Sequence, residues 1–288
     1  MTKVDRGPAY AKALLAELNI SGPTDARRVA ERLQLDINEL DVTGFDGALV
    51  RAKGTPFGTI VVRDSIRELG RKNFTVAHEI GHFLLPGHED ADLVCTSEEL
   101  GNWSDSAKQF EREANEFAAE LLMPESFVRK ILGRSEPSLT LIEQIASSCQ
   151  TSLSAAAWRF CHLTSHRCAV IWSVAGAVSW SRRSQEFRFG VNWSGAIREG
   201  TFAYDCFAGR NTPGRPEPVA ANLWLESRNV APGAQVWEQS KALPSYSSVL
   251  TLLWIKERIE IYSDYDEEAG LDELDPEQFT INRRRWPR

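Results

Sequence analysis

Three of the chain's five histidines fall within eleven residues, in "HEIGHFLLPGH" (78–88), and the first two bracket a glutamate as H-E-x-x-H. On a helix, His78 and His82 stand one turn apart on one face and can aim two imidazoles at a single ion. Neutral imidazoles suit zinc, whose catalytic sites take a third protein ligand and keep one position for water. Glu79, beside the first histidine, can reach a metal-activated water without itself ligating, which is where a general base belongs. Gly81 lies inside the same helix, at a cost on the order of 1 kcal/mol relative to alanine. Close approach of another backbone, or of the metal face, justifies it. The chemistry indicated is metal-dependent hydrolysis.

The third ligand is less direct. His88 follows His82 at the spacing of H-E-x-x-H-x-x-G-x-x-H, but Leu85 stands where that pattern has its glycine. Neither Met1 nor Met123 offers the accompanying Met-turn, so His88 reads as a loop histidine after the Pro86-Gly87 break. A carboxylate in "FEREANEFAAELLMP" is the better candidate. Glu111 and Asn115 share a helix face, so Glu111 can ligate while Asn115 accepts the outer N–H of a metal-bound histidine. Glu113 competes as ligand from a different face; Glu111 is preferred, and the choice stays open.

The elements that must position these residues are legible from periodicity. "AYAKALLAELNI" has helical spacing, and "SGPTDARRVAERLQLDI" reads as stop signals followed by a second amphipathic helix. "GALVRAKGTPFGTIVVRD" reads as two strands around a Gly/Pro turn, with "TIVV" the β-branched core. "NFTVAHEIGHFLL" is a helix, a polar acidic loop follows, and "SAKQFEREANEFAAELLM" is a strong helix closed by Pro124. "SLTLIEQIASSCQTSLSAAAWRFCHL" reads as helix, short turn, helix. From about Ser165 apolar positions alternate, as in "FRFGV" and "VLTLLWIKERIEIY". The acidic stretch "DYDEEAGLDELDPE" and the basic tip "RRRWPR" read as solvated surface.

The chain's 288 residues, 42% hydrophobic and 25% charged, are those of a soluble globular protein with room for a sizeable core. A net charge of −7 gives no general case for nucleic-acid binding. Five cysteines without a C-x-x-C pair indicate a reduced chain. No signal peptide opens the sequence, and no apolar run is long enough to span a bilayer, so a cytoplasmic location and no membrane partner are expected.

"FTVAHEIGHFLL" followed by "EREANEFAAELLMP" resembles the ImmA/IrrE family of bacterial zinc metallopeptidases, the M78 peptidases. "TIVV" and "DARRVAERLQLDI" fit the same layout, and the resemblance holds from about Pro8 to Pro124. It implies one catalytic zinc on His78, His82 and Glu111, with Glu79 as base and Asn115 in the outer shell where related peptidases often have Asp. It also implies a protein substrate, a DNA-binding repressor of the helix-turn-helix type. The expected fold class is α+β: a mainly helical zincin-like catalytic domain with a small sheet (1–130), a helix-turn-helix-like extension (131–165), and a β-rich C-terminal domain with a sensory or substrate-binding role (166–288). The alternative function is a non-proteolytic stress or mobile-element regulator that binds a ligand, a repressor or DNA.

Three further features carry two readings each. Cys161, His162, His166 and Cys168 match no usual finger spacing, so "CHLTSHRC" is either a second metal site or a helix end with buried cysteines. The helix-turn-helix-like segment offers Arg159 as its one clear phosphate-binding residue, and packing against the peptidase helices is the reading preferred to DNA binding. Trp172, Trp180, Trp193, Trp224, Trp237 and Trp254 either line a ligand pocket or pack the core.

Overall fold

The computed structural model describes residues 6–51, 57–88, 109–192, 196–225, 230–231 and 233–256, with the backbone alone at 94–95 and 105–108. Trp193, the acidic stretch and the basic tip lie outside these residues. The first part runs α1 (Arg6–Glu17), α2 (Ala26–Arg32), β1 (Leu35–Leu40), β2 (Gly47–Val50), β3 (Gly58–Arg63), α3 (Leu69–Leu84), β4 (Val94–Cys95) and α4 (Asp105–Leu122). Its strands form a sheet in the order β1-β3-β2-β4, with β1 parallel to β3 and the other pairs antiparallel. Ile60 and Val62 alternate inward from β3 and are wholly buried, the period-two pattern of a strand with one face on the core.

Helix α2 is shorter than its sequence pattern suggests. It stops at Arg32, Gln34 turns at φ +58°, and "LDINEL" leaves as a strand. Leu35 to Leu40 pair in register with Gly58 to Arg63, so the hydrogen bonds of a neighbouring strand outweigh continued helical periodicity.

Two helix crossings depend on glycine. At Gly81, a Cβ would lie 3.2 Å from both Ala114 Cα and Phe117 Cδ1, so the missing side chain lets α3 and α4 pack closely. At Gly7 the approach is tighter: a Cβ would meet Glu113 O at 2.3 Å and Phe117 N at 2.9 Å. Both are backbone atoms of α4 and cannot move singly. Gly7→Ala is therefore expected to destabilise the protein by roughly 1–3 kcal/mol, toward the upper end of that range. Chemical denaturation measures this, and an unchanged midpoint would mean that α1 shifts freely on α4.

Helices α5 (Glu125–Leu132), α6 (Leu139–Cys149) and α7 (Leu153–Leu163) follow. Ser138 and Ser152 cap α6 and α7 through their hydroxyls, and Gln150 makes the left-handed turn between them. The second sheet comprises β5 (Cys168–Val174), β6 (Ala177–Arg183), β7 (Glu217–Ala220), β8 (Gln235–Leu243) and β9 (Ser248–Trp254), with the short helix α8 (Phe202–Phe207) inserted between β6 and β7. It is antiparallel throughout, in the order β6-β5-β9-β8-β7. Ala175 and Gly176, both at positive φ, close the β5–β6 hairpin.

Strand β9 is buried along its whole length because both of its faces are covered. Leu250, Leu252 and Trp254 join Cys168 and Val170 in the core that also contains the helices. Val249 and Leu253 join Ala169 and Ile171 in a second core on the other face. "FRFGV" is not a strand. Phe187 and Val191 are buried in that second core, and only an isolated bridge, Val191 to Leu225, marks the segment. Its alternation serves burial without a partner strand.

Candidate metal centre

Helix α3 is buried from Thr75 through His82 because the first sheet lies on one side and α4 crosses on the other. His78 and His82, one turn apart, turn their Nε2 atoms toward each other at 3.0 Å. Glu111, reaching across from α4, places Oε2 3.2 Å from His78 Nε2 and Oε1 3.2 Å from His82 Nε2. All three residues are buried. Burial works against the charge of Glu111, yet its contacts with the two imidazoles hold the carboxyl at about 2.

This convergence fits one divalent ion. Asn115 Oδ1 lies 3.0 Å from His78 Nδ1 and can only accept, so His78 carries a proton on Nδ1, and the neutral ring then turns a lone pair inward. Inward lone pairs and a buried carboxylate repel one another unless a cation or shared protons lie among them. A tetrahedral site with arms of about 2.0–2.2 Å has edges of roughly 3.3–3.6 Å. The observed separations of 3.0–3.2 Å fall a few tenths short of that.

Glu79 is also buried, at 1% exposure, and its carboxylate faces strand β2. A Cβ on Gly47 would come 2.9 Å from Glu79 Oε1 and 2.4 Å from Thr75 Cγ2, so only glycine lets the strand pass here. Sequence reasoning missed Gly47. The available signal was a glycine opening a strand, which often marks close approach of another group.

His88 is not an ordinary loop histidine. It is 3% exposed, with its Nδ1 2.9 Å from His82 Nδ1 and its Nε2 3.4 Å from Glu113 Oε2. Burial and the neighbouring His82 push its pKa down to about 4. Glu113 thus contacts His88 and takes no part in the Nε2 convergence. Burial opposes its charge, while Gln109, His88 and Arg6 hold its carboxyl below the usual range.

The first part of the chain matches a known family. Residues 30–160 fit the family model described as Peptidase_M78, IrrE N-terminal-like domain. This segment belongs to the M78 peptidase family. The M78 segment contains the H-E-x-x-H helix, Glu111 and His88. One relative is the "Radiation response metalloprotease IrrE" of Deinococcus radiodurans, 29% identical over 122 residues. That match covers 42% of this chain and 35% of the relative, so the chain spans about a third of its length. A solved structure, a "Mycobacterium tuberculosis transcriptional regulator", aligns at a TM-score of 0.53 and 16% identity. The alignment covers 86% of this chain and 75% of that one and shows a shared fold, extending well beyond the M78 domain.

The remaining candidate features sort by packing. Burial pushes the Cys161 thiol up to about 12 and the Cys168 thiol well above its ordinary value, the reverse of what metal-binding thiolates need. Among the described residues, His78, His82 and Glu111 are the one group of three ligands gathered around a common point. Arg159 turns inward to Glu120 and donates from Nε to Met123 O at 2.9 Å, so the helix-turn-helix-like segment does not offer it to phosphate. Trp172 and Trp180 stack at 5.8 Å, Trp158 meets Trp180 edge-on, and Trp237 packs on Trp254. Trp224 is buried and donates to Glu238 at 2.8 Å. No helix among the described residues is long and apolar enough to cross a membrane.

Proposed function

We propose that this chain is a cytoplasmic zinc-dependent endopeptidase acting on a regulatory protein, a DNA-binding repressor or antitoxin-like target. One observation carries the reading: within an M78 domain, two buried Nε2 atoms and one carboxylate converge beside a buried glutamate on the same helix turn. His78, His82 and Glu111 would hold the ion, and Asn115 keeps the proton of His78 on the outer nitrogen. Zinc bound there supplies Lewis acidity, lowering the pKa of water and polarising a peptide carbonyl. Glu79 accepts the proton of the attacking water and returns it to the leaving amine. The names of the relative and of the structural neighbour, a radiation-response protease and a transcriptional regulator, support a target in gene control. Residues 166–288, carrying the second sheet, take the sensory or substrate-binding role.

Metal binding tests the centre. The wild-type chain is expected to bind one zinc ion, with cleavage of its target abolished by a chelator and restored by zinc. Glu111→Ala should weaken binding by more than the 10–100-fold that loss of an outer-shell partner typically costs. Full metal occupancy in that variant would move the ligand to Glu113 or His88.

A further inference from the structure

We propose that His88 and Glu113 form a positioning relay behind His82, fixing the tautomer that turns its Nε2 toward the metal. This rests on the metal centre proposed above and extends it to residues outside the ligand set. His82 Nε2 faces His78 Nε2 at 3.0 Å and Glu111 Oε1 at 3.2 Å, so a ligating lone pair there puts the proton of His82 on Nδ1. That N–H points at His88 Nδ1, 2.9 Å away, which must accept. The proton of His88 then lies on Nε2, aimed at Glu113 Oε2 at 3.4 Å. Each nitrogen has one role, and the three residues admit a single consistent assignment with the carboxylate at its end.

The surroundings hold the relay in place. Gln109 Nε2 donates to Glu113 Oε1 at 2.7 Å, and Arg6 Nη1 lies 3.3 Å from Glu113 Oε2. Arg6 also donates to Pro86 O at 2.8 Å, so one guanidinium grips both the carboxylate and the loop that delivers His88. Phe110 covers the ring of His88 at 4.6 Å, and Gly87, at φ +90°, lets the chain turn back toward the metal helix. A buried imidazole bonded at both nitrogens, one bond to a metal ligand and one to a carboxylate, raises the ligand's basicity and restricts its rotation. His78 has the simpler arrangement, with the neutral amide of Asn115 in the same outer position. The two histidines are therefore unequal ligands.

The test compares His88→Leu, which fills the space without an acceptor, with His88→Asn, whose Oδ1 falls near the lost Nδ1. Zinc affinity is read by competition with a chromophoric chelator, and folding by thermal melts of the metal-free chain. The expected result is a 10–100-fold loss of affinity in His88→Leu and recovery of most of it in His88→Asn. Nitrogen NMR of the zinc-loaded wild type needs no variant and should find the proton of His82 on Nδ1 and that of His88 on Nε2. Wild-type affinity in His88→Leu, His88→Asn as weak as His88→Leu, or the opposite His88 tautomer overturns the relay. If the wild type binds no zinc, the metal centre itself falls; if Glu111→Ala binds it fully, the third ligand is Glu113 or His88 and the relay falls with the ligand set proposed above. If both behave as expected and only the His88 results fail, the relay alone falls.

Discussion

Glu79→Gln is expected to bind zinc within a few-fold of the wild-type chain and to cleave the proposed target about 100- to 10,000-fold more slowly, the range that loss of a general base typically costs. The substitution keeps the shape of a side chain packed at 1% exposure between α3 and β2, with Gly47 against its carboxylate end. An amide there cannot take the water's proton, while His78, His82 and Glu111 keep their positions. The same variant serves as bait, because a target that is bound and not cut stays captured for mass spectrometry. Two measurements decide the matter: zinc content of the purified variant, and cleavage of the captured protein by wild type and variant side by side. Equal cleavage rates would remove Glu79 from the chemistry. A Glu79→Gln gene that complements a deletion as well as wild type would favour regulation by binding over proteolysis.

The second large effect concerns stability. Arg159→Met is expected to cost about 3–5 kcal/mol, because it leaves the Glu120 carboxylate buried without its cation. The side chains of the pair are only 6% and 3% exposed, so water cannot replace the lost partner. Glu120 also accepts from the backbone N–H of Glu125 at 3.0 Å, satisfying a donor in the first turn of α5, where Pro124 supplies no side-chain cap. For that reason the informative companion is Glu120→Gln combined with Arg159→Met, which keeps an acceptor for Glu125 and removes the stranded charge. The double variant should recover at least half of the loss in urea denaturation. A single Arg159→Met within about 1 kcal/mol of wild type would show that the pair is dispensable.

These effects separate what is written locally in the chain from what is not. That His78 and His82 share a face, and that Glu111 and Asn115 share another, follows from four-residue spacing on helices and was legible in "HEIGH" and "EREAN". The strands β2 and β3 and the helix pair α6–α7 were legible for the same reason, since backbone periodicity and turn residues are short-range signals. The helix-turn-helix-like spacing was equally visible, but not the inward turn of Arg159, which depends on Glu120 arriving from a helix about forty residues earlier. The strand "LDINEL" depends on β3 lying alongside it, and "FRFGV" lacks such a neighbour; propensity alone could not separate them.

At the metal centre the division is sharper. Residue types and spacing determined that two imidazoles and a nearby glutamate share one helix turn, and narrowed the candidates for a third ligand to a few groups. The tertiary structure decided that Glu111, and not Glu113 or His88, meets the two Nε2 atoms, and that His88 packs behind His82 with Glu113 beyond it. Those placements depend on how closely α1, α3 and α4 approach at Gly7 and Gly81. Helix periodicity assigns a side chain to a face of its own helix. Which neighbour that face meets, to within the ångström that separates a ligand from its support, is set by packing between segments far apart in the chain.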